Sequence, residues 1–557
     1  MLTVKNSVID GRREQRFPVL EDAEIDRIRR FGESRAFAAG DVVVRVGESG
    51  HGMAVILAGA LEVTQPAATG EDRSIVTLPA GGFIGELAQL SGRPALVDVH
   101  AVTPTELLLV SPERLRALLI AEAELGERIM RALILRRIGL LESGAGPVLI
   151  GRGHTSDVLR LENFLRRNGH PHLHLDPDTH RAEAHALLER YHVVEEELPL
   201  VICAGARVLR NPGETDLARC LGLISPIPPD KVYDVAIVGA GPAGLAASVY
   251  AGSEGLSTIT LDCRSFGGQA GASSRIENYL GFPTGISGMA LMARAHNQAQ
   301  KFGVEIVIPQ EAATLVCKAD PLKLRLASGE TVTARSIVIA SGARYRRLDV
   351  ANLAEFEGSA VHYWASPVES KLCGGQEVAL VGAGNSAGQA VVYLASHASK
   401  VWMIVRGKSL EATMSRYLID RIANLPNVTV VLQAEITALQ GTAGALDSIR
   451  WRQRGGEEIE RPIRHLFLFI GAAPNTDWLA HTAVQLDDKG FVLTGDLAGA
   501  DRRPLETTRR GVFAIGDVRA GSVKRVASSV GEGAQVVAAI HAFLSDLGVA
   551  PAAPTTH

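Results

Sequence analysis

The stretch that decides the fold reads Tyr233-Asp-Val-Ala-Ile-Val238 followed by Gly239-Ala-Gly241-Pro-Ala-Gly244. The first part is an apolar run typical of a buried strand, and Leu245 to Gly255 is typical of a helix. Three glycines between a strand and a helix allow a tight turn and a close approach of the backbone to a pyrophosphate at the helix start. Asp262, at the end of the next strand, is placed to accept a ribose hydroxyl. The segment therefore predicts a dinucleotide-binding fold.

A second copy of this pattern, Gly382-Ala-Gly384-Asn385-Ser386-Ala387, also follows an apolar strand. The strand after it, Val401 to Val405, ends in Arg406-Gly407-Lys408 and carries no carboxylate. An acidic residue at that position would hold the 2′-hydroxyl of NADH, whereas a basic one pairs with the 2′-phosphate of NADPH. We expect Arg406 to contact the phosphate, and Lys408 is either a second contact or an exposed loop charge. The sequence favours NADPH over NADH.

A third segment, Gly511-Val-Phe-Ala-Ile-Gly516-Asp517-Val518, predicts a strand that ends in a Gly-Asp step, with a helix from about Ser529 onward. An acidic group at such a strand end can bind a ribityl hydroxyl of a flavin while the helix start faces the ring system. The two glycine patterns and this step together indicate a protein that holds two dinucleotides, one of them a flavin.

In order and spacing, the residues from Val232 to about Leu547 resemble the low-molecular-weight thioredoxin reductases. The resemblance implies an α/β core of two Rossmann-like domains, with FAD in the first and NADPH in the second. Lys524 and Arg525 would face the flavin pyrimidine and stabilise the reduced anion, unless they lie on the surface. The segments that carry the resemblance are the two fingerprints, Gly267-Gly268-Gln269, Ile276-Glu277-Asn278, Ala340–Ala343, Ile470–Thr476 and Gly516-Asp517, and within them Gly268, Gln269 and Asn278 are expected flavin contacts.

One departure from that family concerns its catalytic dithiol. Thioredoxin reductases carry a Cys-x-x-Cys just before the NADPH fingerprint, and here Trp364 and Pro367 stand at those positions. No two of the five cysteines, Cys203, Cys220, Cys263, Cys317 and Cys373, lie within three residues of each other. Adjacent cysteines therefore cannot relay electrons from the flavin to a substrate.

Residues 1–145 contain short β-like runs separated by glycines, which predict a small barrel or jelly roll followed by a helical stretch from Pro112 to about Leu141. Around Gly81–Ala88 this part resembles a cyclic-nucleotide-binding domain. The resemblance places Glu86 on the ribose 2′-hydroxyl and an arginine for the cyclic phosphate at position 95, where this chain has Ala95. We expect weak or no binding of cyclic nucleotides unless Arg93 replaces that arginine, and we expect Ala95→Arg to strengthen binding. The alternatives are docking, dimerisation or another ligand.

Residues 146–228 read β-α-β-α-β-β-α, the order of the thioredoxin and glutaredoxin fold, with Pro199 where that fold carries a cis-proline. The loop where a redox pair would lie, Gly151-Arg-Gly-His-Thr-Ser156, is cysteine-less, so we predict a redox-silent thioredoxin-like module. His170, His172 and His174 would share one face of a strand. They form either a metal site or, in the interpretation that we favour, a solvent-exposed surface. A proline-rich linker, Ser225 to Asp230, leads to the next domain.

The domain boundaries of the remaining chain and the overall composition give further expectations. We place the first part of the FAD-binding domain at 229–347, the NADPH-binding domain at 348–471, the second FAD part at 472–550 and a flexible tail at 551–557. The formal net charge is −4, so nothing favours a nucleic-acid or membrane partner. Scattered cysteines and an amino terminus without an apolar signal core predict a cytoplasmic protein, and we expect a homodimer.

The sequence thus predicts an FAD-dependent NADPH oxidoreductase that resembles thioredoxin reductase and passes electrons to an unidentified external acceptor. No metal and no pair of general acid and base residues is predicted. Two alternatives remain open: reduction of a disulfide on a docked protein, and a sensor with low turnover in which the amino-terminal domain controls partner binding.

Overall fold

The structure is a computed structural model, and it describes residues 13–65, 72–91, 93–203, 207–224, 226–273, 275–276, 278–357, 359–363, 365, 370, 373–442 and 445–548. Trp364 and Pro367, the residues at the expected dithiol positions, lie outside this described part of the chain, as does the tail after residue 548. None of the described helices is long and apolar enough to cross a lipid bilayer.

The amino-terminal unit is a barrel of two four-stranded sheets, ordered β1-β8-β3-β6 and β2-β7-β4-β5. Its pairs are antiparallel, and apolar side chains from both sheets line the space between them, as the alternating sequence predicted. The predicted single helical stretch is two helices that meet at Glu122. The elements are α1 (Arg13–Arg16), α2 (Asp22–Arg29), β1 (Glu33–Phe37), β2 (Val42–Val44), β3 (Met53–Ala58), β4 (Ala60–Gln65), β5 (Arg73–Pro79), β6 (Phe83–Ile84), β7 (Asp98–Ala101), β8 (Thr105–Val110), α3 (Pro112–Ala121) and α4 (Ala123–Ser143).

The middle unit has the predicted element order around a four-stranded sheet ordered β10-β9-β11-β12. Strand β10 is parallel to β9, and β11 is antiparallel to both of its neighbours. The Leu198–Pro199 bond before β11 is cis, at the predicted proline. The assignment to the thioredoxin fold stays a prediction. The elements are β9 (Val148–Ile150), α5 (Ser156–Arg167), β10 (Leu173–Leu175), α6 (Arg181–Arg190), β11 (Leu200–Ile202), β12 (Val208–Arg210) and α7 (Glu214–Cys220).

The third unit is built on a seven-stranded sheet in which β15, β14, β13, β18 and β29 are parallel neighbours, and β17 and β16 extend it through β18. The strands of the parallel part are buried on both faces, which explains their continuous apolar sequences. The elements are β13 (Val232–Val238), α8 (Pro242–Ser253), β14 (Thr258–Leu261), α9 (Gly268–Gly271), α10 (Gly288–Lys301), β15 (Glu305–Val307), β16 (Ala312–Val316), β17 (Leu322–Leu326), β18 (Thr331–Ile339), β29 (Val512–Ala514) and α14 (Val526–Asp546).

A second doubly wound unit is inserted between β18 and β29. Its five strands, ordered β20-β27-β21-β22-β23, are all parallel, and a three-stranded antiparallel sheet, β24-β25-β26, packs beside them. The chain enters this unit through β19 and leaves it through β28, and these two strands pair with each other. The elements are β19 (Ala343–Tyr345), α11 (Leu353–Phe356), β20 (Val361–His362), β21 (Glu377–Val381), α12 (Asn385–Ala395), β22 (Lys400–Val405), α13 (Arg416–Ala423), β23 (Val428–Leu432), β24 (Ala434–Thr442), β25 (Ala445–Gln453), β26 (Glu458–Arg461), β27 (His465–Leu468) and β28 (Ala472–Pro474).

Helices α8 and α14 pack closely against each other. The reason is Gly533, where an added Cβ would lie 2.5 Å from the Cβ of Ala246 and 2.8 Å from the backbone nitrogen of Ala247. Two residues earlier on the same helix, a Cβ at Gly531 would meet nothing within 4 Å. One glycine of α14 is therefore required by packing, and the other is not.

This contrast gives a matched pair of substitutions. We expect Gly533→Ala to destabilise the protein by about 1–3 kcal/mol because the new methyl group forces the two helices apart. We expect Gly531→Ala to be neutral or to stabilise it by up to about 1 kcal/mol through the higher helix propensity of alanine. Urea denaturation of both variants measures the difference, and equal stabilities would show that the helix contact is not close enough to matter.

Candidate active site

The turn after β13 has the shape that a pyrophosphate requires. Gly239 has φ +112°, and a Cβ there would lie 2.2 Å from the carbonyl oxygen of Ala340. At Gly244 a Cβ would lie 1.8 Å from the carbonyl oxygen of Gly239, so the helix touches the strand end. By contrast, a Cβ at Gly241 would meet only the Cα of Gly268, 3.9 Å away. The space beside Gly241 is therefore a cradle at the start of α8, and it fits a phosphate group.

Asp262 lies at the end of β14, beside this turn, and helps to fix the turn's shape. Its Oδ2 accepts a hydrogen bond from the backbone N–H of Ala240 at 2.9 Å, and its Oδ1 accepts from the backbone of Arg264 at 3.0 Å and of Ser265 at 3.2 Å. Burial raises the pKa of the carboxyl group, and these three hydrogen bonds oppose that effect. A carboxylate has about four acceptor sites, so the predicted contact with a ribose hydroxyl is compatible with these bonds.

Gly516 and Asp517 follow β29, as predicted, and face the start of α8. Gly516 has φ +73°, and a Cβ there would lie 2.9 Å from that of Ala243. Burial raises the pKa of Asp517. Glu532, which the sequence analysis missed, accepts a hydrogen bond from the Gly516 backbone at 2.6 Å and pairs with Arg519. A Glu in the helix after a Gly-Asp step is a weak signal, because only the packing of α14 brings it to the turn.

The expected cations near this step are exposed. Lys524 donates to the carbonyl oxygen of Asp517 at 3.3 Å, and its Nζ lies 4.6 Å from the centre of the Phe491 ring. Arg525 caps the amino end of α14. Both lie next to the Gly-Asp step, although their side chains are on the surface. The structure therefore agrees with the alternative expectation of a surface location for both side chains. A contact of either one with the flavin stays a prediction.

The remaining expected flavin contacts, Gln269 and Asn278, lie in different environments. Gln269 donates from Nε2 to the carbonyl oxygen of Ala343, which fixes its side chain beside β19. Asn278 is exposed. Tyr345, which no sequence pattern indicated, stacks on Tyr363 with ring centres 5.6 Å apart. Burial raises the pKa of Tyr345 to about 12, so this phenol stays protonated at neutral pH.

The second glycine turn is built in the same way as the first. Gly382 has φ +150°, and a Cβ there would lie 2.5 Å from the carbonyl oxygen of Phe469. Gly384 caps α12, and a Cβ there would meet nothing closer than 4.0 Å. Asn385 and Ser386 are on the first turn of α12, and the Oδ1 of Asn385 accepts from the Ser415 backbone at 2.7 Å. The helix start therefore fits a second phosphate.

Arg406 and Lys408 follow β22 and are both exposed. Within the described part of the chain, neither makes a hydrogen bond or an ion pair. The five parallel strands place the end of β22 beside the end of β21, which leads into the second glycine turn. Two cations thus lie at the sheet edge where a 2′-phosphate is expected.

The cysteines contradict part of the expectation for the middle unit. Cys203, just after β11, and Cys220, at the end of α7, form a disulfide with their Cα atoms 6.4 Å apart. The middle unit is therefore not cysteine-less, because the fold joins two cysteines 17 positions apart, while the prediction that it is redox-silent stays a prediction. Among the remaining cysteines Cys373 is buried, Cys317 is half-buried and Cys263 is exposed.

The three histidines of the middle unit do not share one environment. His170 is buried, and burial lowers its pKa to about 3. The Nδ1 of His174 lies 3.2 Å from Glu162, and the Nε2 of His172 lies 3.9 Å from the same carboxyl group. The hydrogen bond with Glu162 raises the pKa of His174. Among the described residues, no group of three or more His, Cys, Asp or Glu side chains is arranged so that it could hold a metal ion. The favoured expectation of a solvent-exposed strand face is wrong, because His172 and His174 are half-buried and contact Glu162.

Glu86 and Ala95 of the amino-terminal barrel both line one cavity of about 740 Å³. Ala95 is 4% exposed. The Oε2 of Glu86 lies 3.6 Å from the Nη1 of Arg137, so an arginine of α4 faces the carboxylate that the resemblance assigns to a ribose. Arg93, the alternative phosphate ligand, lies near Arg137 and Glu86, and burial lowers its pKa to about 10.

A fold with two such glycine turns, each at the carboxyl end of a parallel sheet, defines a protein that binds two dinucleotides. Residues 233–533 match the family model described as pyridine nucleotide-disulphide oxidoreductase, and residues 34–122 match the cyclic nucleotide-binding domain. The chain belongs to the pyridine nucleotide-disulphide oxidoreductase family, and it carries a cyclic nucleotide-binding domain at its amino-terminal end. The thioredoxin reductase-like proteins of this family use FAD and NADPH.

Three relatives are informative. The chain is 33% identical over 308 residues to an alkyl hydroperoxide reductase component of Pseudomonas putida, and the alignment covers 55% of this chain and 57% of that protein. It is 33% identical over 309 residues to NADPH-dependent thioredoxin reductase 3 of Arabidopsis thaliana, covering 54% and 56%. It is 30% identical over 307 residues to thioredoxin reductase of Mycoplasmopsis pulmonis, covering 55% and 95%. The chain thus spans little more than half the length of the first two relatives.

Solved structures give the same assignment for the carboxy-terminal part. Thioredoxin reductase of Lactococcus lactis is 25% identical, with a TM-score of 0.51, and covers 56% of this chain and 99% of its own. Thioredoxin reductase of T. acidophilum is 26% identical, with a TM-score of 0.51, and covers 57% and 100%. The fold predicted from the glycine patterns is confirmed.

The exposed cations after β22 lead to a prediction on nucleotide choice. If Arg406 pairs with the 2′-phosphate, Arg406→Ala removes a charge-assisted contact of about 1.5–3 kcal/mol. We expect the KM for NADPH to rise about tenfold or more and the KM for NADH to stay nearly constant. Steady-state kinetics with both nucleotides measures this, and Arg421→Ala, which alters an exposed arginine of α13, is the control. An equal rise for NADPH and NADH would refute the phosphate contact.

Proposed function

We propose that this protein is an FAD-dependent oxidoreductase that takes electrons from NADPH and passes them to an external acceptor without a Cys-x-x-Cys relay. The observation that carries the proposal is the pair of glycine turns, because both leave a cradle at a helix start and both lie in the family's domain arrangement. When bound, FAD supplies the two-electron chemistry between the nicotinamide and the acceptor. The sequence without adjacent cysteines supports a direct transfer to the acceptor.

The chain's own residues support this function by binding and orientation. Asp262 and Glu532 hold the backbone turns on either side of the amino end of α8. Arg406 is an available cation for the 2′-phosphate. Tyr345 and Gln269 flank the crossing into the NADPH-binding unit, and the Gln269 side chain is fixed to β19. Preorganised groups of this kind place the two cofactors with little cost on binding.

The first test is cofactor content and turnover. We expect the purified protein to be yellow, to contain one FAD per chain, and to oxidise NADPH with small oxidants or quinones as acceptors. The absorption spectrum and extraction of the flavin measure the content, and a panel of acceptors measures the rate. Folded protein that binds no flavin even after reconstitution with FAD would refute the proposal, and uniformly slow turnover would favour the sensor.

The second candidate function is reduction of a protein disulfide, and the Cys203–Cys220 pair is the cysteine pair that it would use. This pair lies in the middle unit, and that unit contacts the flavin domain through Asn168, whose Nδ2 donates to the carbonyl oxygen of Arg264 at 3.1 Å. Cys203 is buried and Cys220 is half-buried. A substrate disulfide therefore has restricted access to Cys203, which argues for a structural cystine.

A comparison of cysteine variants separates the two functions. We expect slow turnover with thioredoxins of the same organism, because Trp364 and Pro367 cannot form a mixed disulfide. We expect Cys203→Ser with Cys220→Ser to leave quinone turnover unchanged while lowering stability by about 2–4 kcal/mol. The control replaces Cys263, Cys317 and Cys373 together by serine. Rapid thioredoxin turnover that survives in the control and vanishes in the double variant would establish the thiol relay instead.

A further inference from the structure

The cavity in the amino-terminal barrel is large and mainly apolar. Its volume is about 740 Å³, and both sheets of the barrel contribute to its walls. The apolar lining includes the buried Val44, Leu78 and Ile84 and the half-buried Val63 and Ile75. The apolar part of these walls favours a ligand with an apolar body, and the cavity is also lined by charged side chains, which favour a ligand with a charged end.

Access to the cavity is through one edge of the barrel. Glu33, Ser34 and Arg35 of β1 line the cavity and are exposed to solvent, and Arg114 of α3 lies beside them, with Nη1 3.5 Å from the Glu33 carboxylate. A ligand can therefore enter past β1 without unfolding the barrel.

Arg136 of α4 also lines this cavity, and it is the least ordinary residue there. It is 7% exposed, and its guanidinium lies 4.3 Å from the centre of the Phe83 ring and 5.2 Å from that of Phe17. Its Nε donates to the carbonyl oxygen of Arg16, and its Nη1 donates to that of Gly85, both at 3.0 Å. Its Nη2 has no hydrogen-bond partner among the described residues.

The electrostatics of Arg136 call for an anion. Burial lowers its pKa to about 9, with a smaller contribution from the nearby charge of Arg16, so the group is still charged at neutral pH. No carboxylate of the described chain forms an ion pair with it: Glu86, the buried carboxylate of the same cavity, lies next to Arg137 instead. A buried cation without a counter-ion is unfavourable, and a bound anion would remove that cost.

A cyclic nucleotide is a poor match to these walls. The position assigned to its phosphate-binding arginine holds Ala95, and the carboxylate assigned to its ribose faces Arg137 at 3.6 Å. A ribose placed there would have to compete with an arginine for Glu86. An acid with an apolar body makes no such demand, since it needs one cation and apolar surroundings.

We propose that the barrel cavity binds an amphipathic carboxylate, with its hydrocarbon chain between the two sheets and its carboxylate at Arg136. This proposal does not rest on the proposed redox function, because the cavity lies in a different domain from the two glycine turns.

Titration calorimetry on the full-length protein tests the charge requirement. The probes are dodecanoate, kept well below its micelle concentration, its neutral methyl ester, and cyclic AMP. We expect dodecanoate to bind at least tenfold more tightly than the ester, because only the acid supplies a counter-ion. We expect cyclic AMP to bind more weakly than dodecanoate and not to displace it. Equal binding of acid and ester, or displacement by cyclic AMP at low micromolar concentration, overturns the proposal.

Variants on α4 identify the cation. We expect Arg136→Gln to weaken dodecanoate binding at least tenfold and to leave binding of the ester nearly unchanged. The control is Arg131→Gln, which alters an exposed arginine of the same helix that pairs with Glu127. Dodecanoate affinity that is unchanged in Arg136→Gln overturns the assignment. If that variant does not fold, the comparison of acid and ester in the unaltered protein still decides the proposal.

Discussion

The first turn of α8 is packed so closely on three sides that a methyl group does not fit at any of the contacts. Gly244 touches the backbone of the preceding strand end, Gly516 touches Ala243, and Gly533 of α14 lies against Ala246. This packing holds β13, β29 and α14 around one helix start. The cradle for a phosphate exists because these backbones approach each other, so the fold and the site depend on the same contacts. These glycines are required for the packing of the fold as well as for the binding of a phosphate.

This dependence explains why the carboxy-terminal half could be predicted from the sequence. A glycine turn between an apolar strand and a helix is a local pattern, and its geometry follows from residues that are neighbours in the chain. The Gly516-Asp517 step and the basic end of β22 are local in the same sense. The β-rich character of the barrel and the element order of the middle unit were also predicted, because alternation and turn residues are local signals. The break at Glu122 between α3 and α4 was missed, since it interrupts a continuous helical pattern.

The partners of individual side chains could not be predicted, because they come from distant parts of the chain. Glu532 reaches Gly516 only after α14 has packed on α8, and Cys203 reaches Cys220 only after α7 has folded back onto β11. Glu162 lies between His172 and His174 for the same reason. The sequence identified the cysteines and histidines at these sites but neither Glu532 nor Glu162, and it left every pairing open. A motif therefore locates a cofactor more reliably than it describes the residues that hold the motif in shape.

Helix α4 is one of the places where the amino-terminal domain meets the rest of the molecule. Arg136 and Arg137 are consecutive, so they point to different sides of the helix: Arg136 lines the barrel cavity, while Arg137 donates to the carbonyl oxygen of Gly169 in the middle unit at 2.9 Å. The neighbouring Asn168 donates in turn to the flavin domain, close to Asp262 in the chain. A ligand that shifted α4 would therefore alter a contact only a few residues from the turn that holds the first dinucleotide. Glu86 lines the cavity and also faces Arg137, so the cavity and the contact at Gly169 share this pair of side chains.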